Sequence, residues 1–184
     1  MPRHPHSTAP NAAVFGAQPP EPAIYRLDDD GRTPNSRWPV LHYRSTGAGP
    51  IDPAVCERRF AANGWPPQWR GGVFDFHHYH SVSHEALAIH AGAARLMLGG
   101  EAGRIVEVAA GDVLVLPAGT GHCRLGASAD FALAAAYPPD QQHWDLCRPG
   151  ETDPVAARAR IAALGVPASD PVTGQTGGLR VHWR

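Results

Sequence analysis

From Val73 to Tyr137 the chain runs in short stretches of alternating apolar and polar residues broken by glycines. That pattern leaves few architectures open. A period of two sends successive side chains to opposite faces of a strand, and many short strands with turn signals between them build an antiparallel barrel or sandwich. Strands are predicted near 73–80, 84–91, 93–98, 104–109, 112–116, 121–126 and 130–137. The expected fold class is all-β with a few flanking helices.

The flanks carry different signals. Asp52-Pro53 opens a predicted helix near 52–63 that Gly64 stops, and Thr152 or Asp153 with Pro154 opens another near 153–164 that ends before Gly165. Short, edge-like strands are expected at 24–27 and 38–44. Two consecutive prolines make Trp65–Trp69 read as a stiff aromatic loop, and Leu179–Trp183 alternates like a last short strand. Residues 1–21 are rich in Pro and Ala with little to bury, and read as a disordered arm before a single domain over 22–184 whose barrel core spans about 72–138. No internal repeat is visible.

Composition narrows the chemistry. The formal net charge of -1 argues against a general nucleic-acid or anionic-membrane binder. The sequence contains no Lys, so Schiff-base, pyridoxal-phosphate and P-loop chemistries are excluded. Cys56, Cys123 and Cys147 are odd in number and form no C-x-x-C, which fits neither a disulfide framework nor a Cys-type zinc finger. No apolar segment approaches the roughly 20 residues of a membrane helix and no secretory signal is seen, so a soluble, cytoplasmic protein is expected. Five of the 11 histidines lie between His77 and His90, and there the chemistry is sought.

Alternation across 73–80 puts Phe74, Phe76, His78 and His80 on one face, with Asp75, His77 and Tyr79 on the other. In the next segment Glu85, Leu87 and Ile89 share a face, while His84, Ala86, Ala88 and His90 point away. A carboxylate on a buried face needs a positive partner, and imidazoles with no Lys or obvious Arg nearby point to a metal cation. His122, after the turn Pro117–Gly121, is the natural third histidine.

These residues resemble the cupin family. Its first motif, G-x5-H-x-H-x4-E-x6-G, is matched by Gly72, His78, His80, Glu85 and Gly92. Its second, G-x5-P-x-G-x2-H-x3-N, is matched by Gly111, Pro117, Gly119 and His122, with Gly126 where Asn is usual. Three further stretches, near 29–35, 63–70 and 116–125, are similar to the YjlB-like group of small bacterial cupins, which has no assigned reaction. The resemblance covers about residues 22–174. It implies a double-stranded β-helix (cupin, or jelly-roll) barrel holding one divalent transition metal ion through His78, His80, Glu85 and His122. That donor set suits Fe, Mn, Ni, Zn, Co or Cu without selecting among them.

Alternatives stand beside several of these roles. A one-residue bulge would exchange His84 for Glu85 at the metal. His77 and His90 read as second-layer or surface residues, and Cys123 as a small buried hydrophobe. Arg124 shares parity with His122 and is expected either to clamp an anionic substrate group or to pair with Glu107. Trp65 and Trp69 read as a pocket wall or as packing, and Phe74, Phe76, Leu87 and Ile89, with Leu98 and Leu114, as pocket lining. The function expected is a metal-dependent enzyme for a small metabolite, with dioxygenase-type oxidation ahead of isomerisation or decarboxylation and Glu85 as a possible base. The alternative is a non-enzymatic module that binds or senses a small molecule. A homodimer is expected in either case.

Overall fold

The computed structural model describes residues 19–47 and 49–184. The expected disordered arm over 1–21 lies, apart from its last three residues, outside the described residues. Among the described residues, nine strands form two antiparallel sheets. The larger sheet holds β1 (Ala23–Tyr25), β2 (Val40–Tyr43), β3 (Pro67–Gly71), β4 (Glu85–Ala91), β7 (Val113–Leu116) and β9 (Ala132–Ala136), in the order β1-β2-β7-β4-β9-β3. The smaller holds β5 (Ala93–Leu98), β6 (Arg104–Ala109) and β8 (His122–Ala127), in the order β6-β5-β8. From β4 onward the chain passes back and forth between the sheets, giving the double-stranded β-helix of the cupin fold.

The core lies between the sheets. Val40, Leu87, Ile89, Leu114, Leu116 and Leu133 of the large sheet meet Ala94, Leu96, Leu98, Val106 and Val108 of the small one. The outer face of the large sheet is covered as well. Helix α1 (Pro53–Ala62) lays Val55, Cys56 and Phe60 against Leu41, Tyr43, Ala86, Ala88, Val113 and Val115, and Trp65, Val172, Leu179 and Trp183 complete that layer. Burial on both faces explains why β7 reads Val-Leu-Val-Leu without a polar residue. The small sheet has one covered face and keeps its alternation: in β6, Arg104, Ile105, Glu107 and Ala109 are exposed while Val106 and Val108 are buried.

Helix α1 starts at Asp52, whose carboxylate accepts the Ala54 N–H at 2.9 Å, and α2 (Pro154–Ala163) starts at Asp153, which accepts the Val155 N–H at 2.9 Å. Each cap contributes about 1 kcal/mol. The structure corrects four expectations. Residues 73–80 form no strand: His78 bridges to His122 and Tyr79 to Cys147, so the segment pairs with different partners one residue at a time. The Trp65–Trp69 region is not all loop, because Pro67–Gly71 form β3. This strand pairs only with β9 at the sheet edge, where a missing proline N–H costs least. Strand β2 is interior rather than edge-like, held between β1 and β7. The segment Leu179–His182 is a short helix, α3. Its first N–H is taken by the Asp170 carboxylate at 2.9 Å rather than by a strand partner.

Candidate metal centre

His78 and His122 exchange both backbone hydrogen bonds, the His78 N–H reaching the His122 carbonyl at 3.1 Å and the His122 N–H reaching the His78 carbonyl at 2.9 Å. A doubly bonded antiparallel pair sends its side chains to one face, so the two imidazoles lie together with ring centroids 4.0 Å apart. His80 is set two residues on, and its carbonyl accepts the Gly119 N–H at 2.8 Å. Gly119 has φ +90°, and a Cβ there would come within 2.4 Å of the Asn35 carbonyl oxygen. The turn that delivers His122 therefore needs glycine at this position. Gly126, the departure from the cupin motif, is sterically open: a Cβ at that position would meet nothing within 4 Å.

The three imidazoles are buried, and one ring nitrogen from each lies within 4.8 Å of the others. Their Nδ1 atoms all face backbone carbonyls: His78 to Phe76 at 3.0 Å, His122 to Thr120 at 3.0 Å, and His80 to Asp145. A carbonyl only accepts, so each Nδ1 carries the proton, and Nε2 is the lone-pair atom of the ring in its neutral form. Glu85, also buried, joins them with Oε1 3.6 Å from His80 Nε2 and Oε2 3.5 Å from His122 Nε2. Glu85 Oε1 accepts the Tyr137 hydroxyl at 2.7 Å, whereas Oε2 is buried with no hydrogen-bond partner.

Electrostatics match this geometry. Burial, then the neighbouring His122, pushes His78 down to about 3. Burial also dominates at His122, whose net direction is down. At His80 burial pulls downward, but the nearby Glu85 charge and the hydrogen bond to the Asp145 carbonyl outweigh it and the net direction is up. At Glu85 burial pulls upward, yet His80, His122 and the Tyr137 hydroxyl together bring the carboxyl down to about 2. The centre therefore combines a carboxylate with converging lone pairs, and an orphaned buried oxygen asks for a cation. The residues fit a divalent metal ion.

Trp69, Val73, Phe74, Leu87, Tyr137 and Trp144 line the cavity beside this cluster. It measures about 20 Å³, room for one water-sized species. Phe74, Trp69 and Leu87, expected as lining, are brought to it. Phe76 instead lines a neighbouring concavity, with Arg148 stacked on its ring at 4.0 Å. Ile89 lies deeper in the core, and Arg124 does not line the cavity. Arg124 sits across from Leu96 on β5, its Nε buried without a hydrogen-bond partner, and among the described residues it makes no ion pair with Glu107. A larger concavity of about 580 Å³ lies at the other end of β5 and β8, lined by Arg44, Arg95 and Glu107 among others. Among the described residues the buried histidine cluster lies at the smaller space and not at this one.

His84 faces the opposite layer. Its Nδ1 accepts the Ala118 N–H at 2.9 Å and its Nε2 donates to the Gly165 carbonyl at 3.1 Å, between the rings of Trp38 and Trp183. The Cys123 thiol is pushed up by burial, which keeps it protonated. Trp65 donates to the Ser169 carbonyl at 2.8 Å in the outer layer and takes no part in the site.

Sequence reasoning passed over Tyr137, Trp144 and Asp145. Tyr137 shares parity with inward-facing Leu133 and Ala135, and that was a usable signal. Trp144 and Asp145 belong to the segment after Pro138-Pro139 that folds back over the site. Trp144 packs edge-on to His80 at 5.4 Å, and the Asp145 carboxylate holds the Ser81 N–H at 2.7 Å.

No family model matches the chain. It is similar to the "Uncharacterized protein YjlB" of Bacillus subtilis (strain 168), 37% identical over 165 residues that cover 89% of this chain and 97% of that protein. Among solved structures, an 11S globulin from Wrightia tinctoria is 10% identical, with 79% of this chain and 33% of that one covered at a TM-score of 0.36. A mutant of Bacillus subtilis oxalate decarboxylase is 15% identical, with 90% and 40% covered at a TM-score of 0.32. The chain thus spans about a third to two-fifths of the length of these two structures.

Proposed function

The chain belongs to the family of YjlB, a cupin family, and on that premise we propose that it is a metal-dependent enzyme acting on a small metabolite, with dioxygenase-type oxidation as the favoured reaction. The observation that carries this reading is the set of converging acceptors: three imidazoles with Nδ1 tied to backbone carbonyls, beside the orphaned Oε2 of Glu85. His78, His80, His122 and Glu85 would hold the ion, which is Fe, Mn, Ni, Zn, Co or Cu by donor chemistry. When bound, such an ion supplies Lewis acidity and positions for substrate or dioxygen. The protein's own residues do the rest.

Trp69, Phe74, Leu87 and Trp144 exclude water and favour a small, partly apolar ligand. The carbonyls of Phe76, Thr120 and Asp145 fix the ring orientations before anything binds. Glu85 is the buried carboxylate that would accept a proton if it detaches from the ion during turnover. Arg124 stands outside the cavity lining, and with its unpartnered Nε it would meet only an anionic substrate group that extends past the histidines. Phe76 and Ile89 would support the pocket wall from behind. The proposed setting is the cytoplasm; among the described residues no helix is long and apolar enough to cross a membrane. The proposed assembly is a homodimer through the uncovered face of the small sheet, where Ile105 and Leu125 are each 46% exposed.

The test is oxygen consumption by the chain loaded separately with each candidate metal, across a panel of diketones, thiols, phenols and hydroxy acids. Uptake coupled to loss of one substrate is expected. No uptake with any metal, while a panel member still binds, would replace the oxidation reading with the binding-module reading.

A further inference from the structure

We infer that Tyr137 is a positioning residue that gives the two oxygens of Glu85 different jobs. The inference rests on the metal-binding reading above and adds a determinant to it. Indole nitrogen only donates, so the Trp69 Nε1–H, 2.9 Å from the Tyr137 hydroxyl oxygen, fixes that oxygen as an acceptor on its indole side. The phenol's own proton then points along its other short contact, 2.7 Å to Glu85 Oε1. Both directions in this Trp69–Tyr137–Glu85 chain follow from residue type.

The consequence falls on the carboxylate. Oε1 is committed to a hydroxyl proton, while Oε2 stays buried and unpartnered on the side of His122. The chain therefore presents a cation with one free carboxylate oxygen. A carboxylate with both oxygens free would offer two and would occupy a coordination position that a substrate otherwise takes. Tyr137 reaches this role from the inward parity it shares with Leu133 and Ala135, and Trp69 reaches it from β3, the edge strand paired to β9.

The experiment compares the full-length wild type with Tyr137→Phe, both stripped with chelator and titrated with Co(II). It reads the visible d–d spectrum and the dissociation constant by competition with a chromophoric chelator. The phenylalanine variant, with both carboxylate oxygens released, is expected to shift its d–d bands in position and lower their intensity as a coordination position is gained, and to change Co(II) affinity about 10-fold or more, which a role in packing alone would not do. Identical spectra and affinities overturn the inference and leave the metal reading intact. A wild type that takes up no Co(II) overturns both. Should Tyr137→Phe fail to fold, Trp69→Phe decides: a smaller shift in the same direction supports the inference and an unchanged spectrum overturns it.

Discussion

His84 immediately precedes β4 and Glu85 opens it, and both are buried to 2% exposure or less, yet they face opposite layers. On the outer side His84 has both ring nitrogens matched, one accepting from Ala118 and one donating to Gly165. On the inner side His78, His80 and His122 have one nitrogen matched each and present the other three within 4.8 Å of one another, with the unpartnered Glu85 Oε2 lying 3.5 Å from His122 Nε2. His42 repeats the outer arrangement, held between the Tyr25 hydroxyl at 3.0 Å and Asp112 at 2.9 Å. Burial therefore does not distinguish a structural histidine from a metal ligand. Convergence of unmatched ring nitrogens does: His77 Nδ1 and His90 Nε2 are also without a partner, but neither joins the cluster.

The largest expected effect breaks the inner set. His78→Ala with His122→Ala should abolish retention of a divalent ion, read by elemental analysis, while circular dichroism shows the β-rich fold retained. His84→Ala should do the reverse. Losing two buried hydrogen bonds and the packing between Trp38 and Trp183 should lower stability by about 2–4 kcal/mol in denaturant titration, with ion retention unchanged.

The pH dependence of His84 sharpens the contrast. Burial holds it down at about 4, below an unfolded value near 6.5, so the unfolded chain binds the proton first. Its contribution is complete above pH 6.5 and is lost as pH falls toward 4, by up to about 3 kcal/mol. Unfolding of metal-free wild type and His84→Gln, compared at pH 7 and pH 4.5, should show the gap between them narrowing at the lower pH. The smallest effect is at His90, half-exposed on the outer face of β4. His90→Ala should move stability by no more than about 0.5 kcal/mol and leave ion retention as it was.

The sequence was most readable where periodicity and motif spacing coincide. Strands β4 to β9 fall within a residue or two of their expected bounds, and His78, His80, Glu85 and His122 do come together. The parity argument for 73–80 reached the right facing of His78 and His80 although no strand forms there, because the His78–His122 bridge imposes the same constraint as a ladder would. Elements held by single side-chain contacts were not readable. Strand β3 hides behind two prolines, and helix α3 is a short ambiguous segment resolved by the Asp170 carboxylate. The Asp145 carbonyl that orients His80 comes from an aperiodic segment 65 residues away, and no local pattern announces such a contact.

The most direct measurement of the central claim is anomalous diffraction from crystals grown with a divalent transition metal. The account predicts a single strong peak about 2.0–2.2 Å from Nε2 of His78, His80 and His122 and from one Glu85 oxygen. A peak elsewhere on the molecule, or only ordered solvent among these side chains when metal is abundant, would contradict it.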